Sequence, residues 1–77
     1  MNDMSHIRPL GADWLDQIFR AKAAMNGGVI RRRVADVERE IGRAAFELEV
    51  RKRGFHLIEC DGTFAILCSA APLQIIC

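Results

Sequence analysis

Apolar positions change their spacing several times along this chain of 77 residues, and each change marks an element. Trp14, Leu15, Ile18 and Phe19 recur at helical spacing, and Met25 extends the same face. Asp13 is placed to cap such a helix, with Asp16 in its favourable first turn. Asn26-Gly27-Gly28 stops it. The pattern predicts one helix from Asp13 to about Met25. Before it, Pro9 and Gly11 break regular structure, so residues 1–12 are expected to be a loose lead-in to a single domain over 13–77.

"VIRRR", residues 29–33, is too short and too tightly bounded to be a helix and reads as a strand. Val34, Val37 and Ile41 then form one stripe of a two-turn helix that ends at Gly42. Another helix, Arg43 to Arg53, follows almost without a linker and stops at Gly54. "FHLIECDGTFAILC" is a hairpin pattern, because Asp61-Gly62 suits a two-residue type I′ turn in which both residues take positive φ. That turn sets the register of strands 55–60 and 63–68, pairing Cys60 with Thr63, Ile58 with Ala65 and His56 with Leu67. Pro72 opens an apolar stretch, "LQIIC", from which a further strand is expected. The fold class is therefore α+β, with a core of Trp14, Leu15, Ile18, Phe19, Val37, Ile41, Phe46, Val50, Leu57 and Ile66.

The order helix, strand, helix, helix, strand, strand over residues 13–68 resembles the winged helix, in which the third helix reads DNA and the hairpin is the wing. The resemblance is one of topology and carries no diagnostic motif. By wording, "DWLDQIFRAKAAMNGGVIRR", "VADVEREIG" and "EVRKRGFHLIEC" resemble a family of short alphaproteobacterial proteins that often bear the name phosphoribosylanthranilate isomerase. That activity implies a (β/α)₈ barrel, which needs roughly 200 residues or more and an active site drawn from the loops of several strands. A chain of 77 residues holds neither, so no catalytic residue is carried over.

Composition sharpens the picture at two points. Hydrophobic residues make up 51% of the chain. A domain this small buries only about 60% of its unfolded surface, so part of that excess is expected to meet a partner, most simply a second copy. Net charge is +1, but ten basic residues against five acids fall between Arg20 and Arg53, while the flanks are acidic. Such segregation can steer a polyanion toward the middle of the chain. "MNDMSHIRPLG" has neither the basic start nor the apolar run of a signal peptide, and no stretch approaches the ~18 apolar residues of a membrane span. Cys60, Cys68 and Cys77, odd in number, read as reduced cytoplasmic thiols.

Candidate sites follow from these placements. Along a regular strand Arg31 and Arg33 share one side and Arg32 takes the other, so the run serves either as a grip on phosphates or as charge guarding a strand edge. With Arg43, Arg51, Lys52 and Arg53 it would make up a nucleic-acid surface. The helix from Arg43 argues against this, since Glu47 sits between Arg43 and Arg51. Phe46 and Val50 lie on one side of it and Ala44 with Leu48 on nearly the opposite one, as in a helix wedged between two layers, one of which a second subunit could supply. Ala44, Leu48, Ile75 and Ile76 are thus candidate interface residues. His56 and Cys60 share a strand face but lie ~13 Å apart, too far to share one ion, and Cys68 is on the other face. No phosphate loop, paired-carboxylate arrangement or nucleophile motif is present, so no catalytic, cofactor or metal residue is assigned. The expected function is a non-catalytic interaction module that acts as a homo-oligomer toward an unidentified protein partner, the alternative being a winged-helix-like nucleic-acid binder.

Overall fold

The computed structural model describes residues 11–77. Most of the lead-in expected over residues 1–12 therefore lies outside the described residues, as does most of the segment judged not to be a signal peptide. The order is α1 (Ala12–Arg20), α2 (Lys22–Met25), β1 (Val29–Arg33), α3 (Val34–Glu40), α4 (Arg43–Lys52), β2 (His56–Cys60) and β3 (Thr63–Leu67). The three strands form one antiparallel sheet in the order β1-β3-β2. This is the α+β class that the apolar pattern predicts.

The hairpin is built as its turn residues require. Asp61 and Gly62 have φ of 52° and 72°, and Cys60 faces Thr63, Ile58 faces Ala65 and His56 faces Leu67. Strand parity then decides burial. Phe64 and Ile66 on β3 and Ile30 on β1 turn inward against Ile18, Val37, Phe46 and Val50 from the helices. The opposite side of the sheet carries Val29 and Ile58, both exposed. An aromatic column runs through the core: Trp14 lies 6.0 Å from Phe46, and Phe46 lies 5.5 Å from Phe64, between ring centroids. Such tilted pairs add to the burial of their area.

Three expectations need correction. The first helix is not continuous, because Ala21 adopts an extended conformation (φ −57°, ψ 147°) that ends α1 and starts α2. Tertiary contacts override helix propensity here: Ala21, Ala23 and Ala24 pack on the core, and Gly28 N–H donates to the Ala23 carbonyl at 2.7 Å, turning the chain into β1. The helix also begins earlier than expected. Gly11 at φ 79° occupies the cap position, Ala12 is already helical, and Asp13 falls within the first turn. The stretch "LQIIC" forms no strand: the β1–β3 ladder ends with the Cys68 N–H donating to the Gly28 carbonyl at 2.9 Å, and residues 72–77 add to neither sheet edge. Along α4, Phe46 and Val50 are buried, whereas Ala44 and Leu48 face outward, with no second layer over them among the described residues.

Gly11 joins the two helical halves of the inner layer. A Cβ there would sit 1.7 Å from Ile41 Cγ2, on a backbone that L residues seldom adopt. Gly11→Ala should therefore lose more than about 1 kcal/mol of unfolding free energy. Urea titration followed by Trp14 fluorescence measures it, and an unchanged midpoint would contradict this packing.

Candidate functional site

Strand β1 lies at one edge of the sheet, and its three arginines occupy the two sides that strand parity dictates. Arg31 and Arg33 project with Val29 from the uncovered side, and Arg32 projects from the other. Arg32 Nη1 donates to the Arg31 carbonyl at 2.6 Å. Among the described residues none of the three makes an ion pair.

The remaining basic candidates are arranged differently. Arg43 donates through a forked contact to the two carboxylate oxygens of Glu59, lies 3.8 Å from Glu47 Oε2, and covers the Phe64 ring with its guanidinium carbon 5.0 Å from the centroid. Its hydrogen bond to Glu59 is the main cause that raises the Arg43 pKa and lowers that of Glu59. Arg53 donates to the Glu49 carboxylate and to the Glu49 carbonyl, each at 2.9 Å, and stacks 3.9 Å above the Phe19 centroid. Lys52 Nζ approaches the same carboxylate at 3.4 Å. Arg51 stands on the flank of α4. The seven candidates are therefore not gathered on one surface: three line the β1 edge, and four belong to α4 and its end, beside the opposite edge.

That opposite edge holds a concavity. A cleft of about 430 Å³ separates the flank of α4 from β2. Leu57, Val50 and Phe64 provide its apolar wall, and Arg43, Glu47, Arg51 and Glu59 its charged rim. The rim carries two cations and two anions, so it has no net charge. Sequence reasoning missed this cleft and assigned Glu59 no role. The Arg43–Glu59 contact joins residues 16 apart in the chain, and only the packing of α4 on β2 brings them together.

Hydrogen bonding in the hairpin leaves β2 with an open backbone. A two-residue turn closes on a hydrogen-bonded pair, so Cys60–Thr63, Ile58–Ala65 and His56–Leu67 exchange bonds. The N–H and C=O groups of Leu57 and Glu59 consequently point away from β3, and no backbone partner meets them among the described residues.

The cysteines and histidines do not converge. Cys60 and Cys77 are exposed, Cys68 is buried, and all three are free thiols. Burial pushes the Cys68 thiol pKa up, and its Sγ lies 3.7 Å from the Ile66 carbonyl. His56 Nε2–H donates to the Ala71 carbonyl at 2.7 Å, tying the segment after β3 to the start of β2. Among the described residues no group of three or more His, Cys, Asp or Glu side chains is placed to hold a metal ion. Nor is any helix long and apolar enough to cross a membrane. Ala44, Leu48, Ile75 and Ile76 are all exposed, the last two at 81%.

No protein-family model, curated protein or solved structure matches this chain, so its functional reading rests on geometry.

The Glu49 cluster has a pH signature. Arg53, through its hydrogen bond, is the largest cause holding the Glu49 carboxyl below its ordinary pKa of 4.5. A carboxyl lowered in the folded state stabilises the fold above its unfolded pKa, and that contribution disappears as pH falls through the folded value. Glu49→Gln should lower the urea midpoint near neutral pH and flatten its decline between about pH 5 and pH 3. Parallel declines in the two proteins would show that the cluster contributes nothing to acid sensitivity.

Proposed function

We propose that this protein is a non-catalytic interaction module that presents its surface to other chains and works as a homo-oligomer. The observation that carries this reading is the distribution of apolar side chains. Met25, Val29, Leu48, Ile58, Leu73, Ile75 and Ile76 are all exposed, a set of large hydrophobic residues nearly as numerous as the eight residues of the core. Leu48 occupies the uncovered side of α4, Val29 and Ile58 the uncovered side of the sheet, and Leu73, Ile75 and Ile76 a segment without regular structure. Apolar area left in water on several surfaces at once is characteristic of chains that complete their burial with a partner. Ala44 beside Leu48 belongs to the same face. The three free thiols fit a reducing, cytoplasmic setting.

A second reading is a nucleic-acid binder of winged-helix type, favoured by the lack of carboxylate partners for Arg31, Arg32 and Arg33. Its weakness lies in α4, where a recognition helix would sit. Arg43, Lys52 and Arg53 are already engaged by Glu59, Glu47 and Glu49, so phosphate contacts would require breaking those pairs.

Two measurements separate these readings. Light scattering coupled to gel filtration should return a mass above that of one 8.6 kDa chain, and Leu48→Glu should lower it if the α4 face contributes. Anisotropy titrations with a mixed-sequence duplex and a single strand should show no binding at low salt. Binding that falls steeply with salt and vanishes in the triple change Arg31→Ala, Arg32→Ala, Arg33→Ala would instead establish the polyanion grip.

A further inference from the structure

The two edges of the sheet are finished differently. On β1 the outward carbonyl of Arg31 is taken by Arg32, and three like charges line the strand, so a second β1 laid against it would be repelled. On β2 the outward groups of Leu57 and Glu59 have no partner among the described residues, and the cleft beside α4 opens next to them. An open edge flanked by a cleft offers what an added strand needs: backbone donors and acceptors along one line, and room for alternate side chains.

The chain also contains a segment suited to that place. Residues 69–77 hold no charged side chain, matching a rim whose two arginines and two glutamates cancel. "LQIIC" is rich in strand-forming residues. In an extended conformation Leu73 and Ile75 fall on one side and Gln74 and Ile76 on the other. With Leu73 and Ile75 directed to the cleft, Ile76 would lie on the side of the sheet where Ile58 is exposed. The segment's own domain does not use it. After the His56–Ala71 hydrogen bond it makes no further bond to β2, and Ile75 and Ile76 remain 81% exposed.

We infer that residues 73–77 of one copy add as a fourth strand to β2 of a second copy, with Leu73 and Ile75 entering the α4–β2 cleft. Under a two-fold axis the exchange is reciprocal, each copy giving one strand and receiving one. The inference rests on the homo-oligomer reading above and names the surfaces that would form it.

Sedimentation equilibrium of the full chain tests it with three variants. Ile75→Lys/Ile76→Lys places charge in the donated strand without touching the core. Glu59→Pro removes an outward N–H from β2, and Glu59→Gln serves as its control, losing the Arg43 ion pair but keeping that N–H. The wild type should sediment as two chains. The tail double variant and Glu59→Pro should each weaken the dimer by about 100-fold or more, and Glu59→Gln, which unbalances the rim charge but keeps the N–H, by far less. An equimolar mixture of the two defective proteins should recover part of the association, because one intact strand–edge pair remains between them. A wild-type dimer that the tail double variant leaves unchanged would overturn the exchange while preserving the oligomer reading. A wild-type monomer would overturn both, including one whose Leu57 and Glu59 amides exchange slowly because its own tail covers them. Should Glu59→Pro fail to fold, the tail variant alone still decides.

Discussion

Phe46 resting on Phe64 is the contact from which the rest of this fold is arranged. It sets α4 against the central strand of the sheet, and Trp14 leans on the same ring from α1. Val50, one turn along α4, and Ile66, on the same side of β3, are buried in continuity with it. In a domain of this size, where roughly 40% of the unfolded surface stays in water after folding, there is interior for one such core of eight buried residues. Helices therefore cover one side of the sheet, and nothing among the described residues covers the other. The same placement leaves β2 at an open margin, with its outer edge and the flank of α4 forming a cleft.

How far this could be read beforehand depended on whether local chemistry or distant packing determined each element. Asp61-Gly62 determines its own conformation, so the hairpin register followed from two residues and agrees pair for pair. Parity placed Arg32 opposite Arg31 and Arg33 for the same reason. The break at Ala21 had no such signal: neither Gly nor Pro is present, and the cause lies in the alanines' contacts with the core and with Gly28. Phe64 and Ile30 were passed over as core, although Phe64 shares the parity of Ile66, because which strand lies in the middle of the sheet is a tertiary property. The cleft was illegible for a similar reason, since its rim is drawn from both α4 and β2.

Charge shows most clearly how folding redistributes what the sequence displays. The basic excess between Arg20 and Arg53 looks like a polyanion field when residues are counted in order. Folded, Arg43 is matched by Glu59 and Glu47, Arg53 and Lys52 by Glu49, and Arg39 by Asp36 at 3.1 Å. Arg43 and Arg53 also lie over aromatic rings, so part of their role is to shield Phe64 and Phe19 from water. Among the described residues, the positive charge without a carboxylate partner is thereby concentrated on β1, with Arg51 beside the cleft and Lys22 on α2.

That concentration bears on the asymmetry of the sheet. An edge strand exposes unpaired backbone groups, and proteins that must stay apart blunt such edges with charge or with side chains that occupy the carbonyls. Here β1 has both devices, in three arginines and in the Arg32 bond to the Arg31 carbonyl. Strand β2 has neither, since its one carboxylate, Glu59, is turned to Arg43 and its neighbouring Ile58 is exposed. General protection against aggregation would call for guarding both edges. Guarding only one permits association in a single direction, and it leaves open the edge that adjoins the cleft.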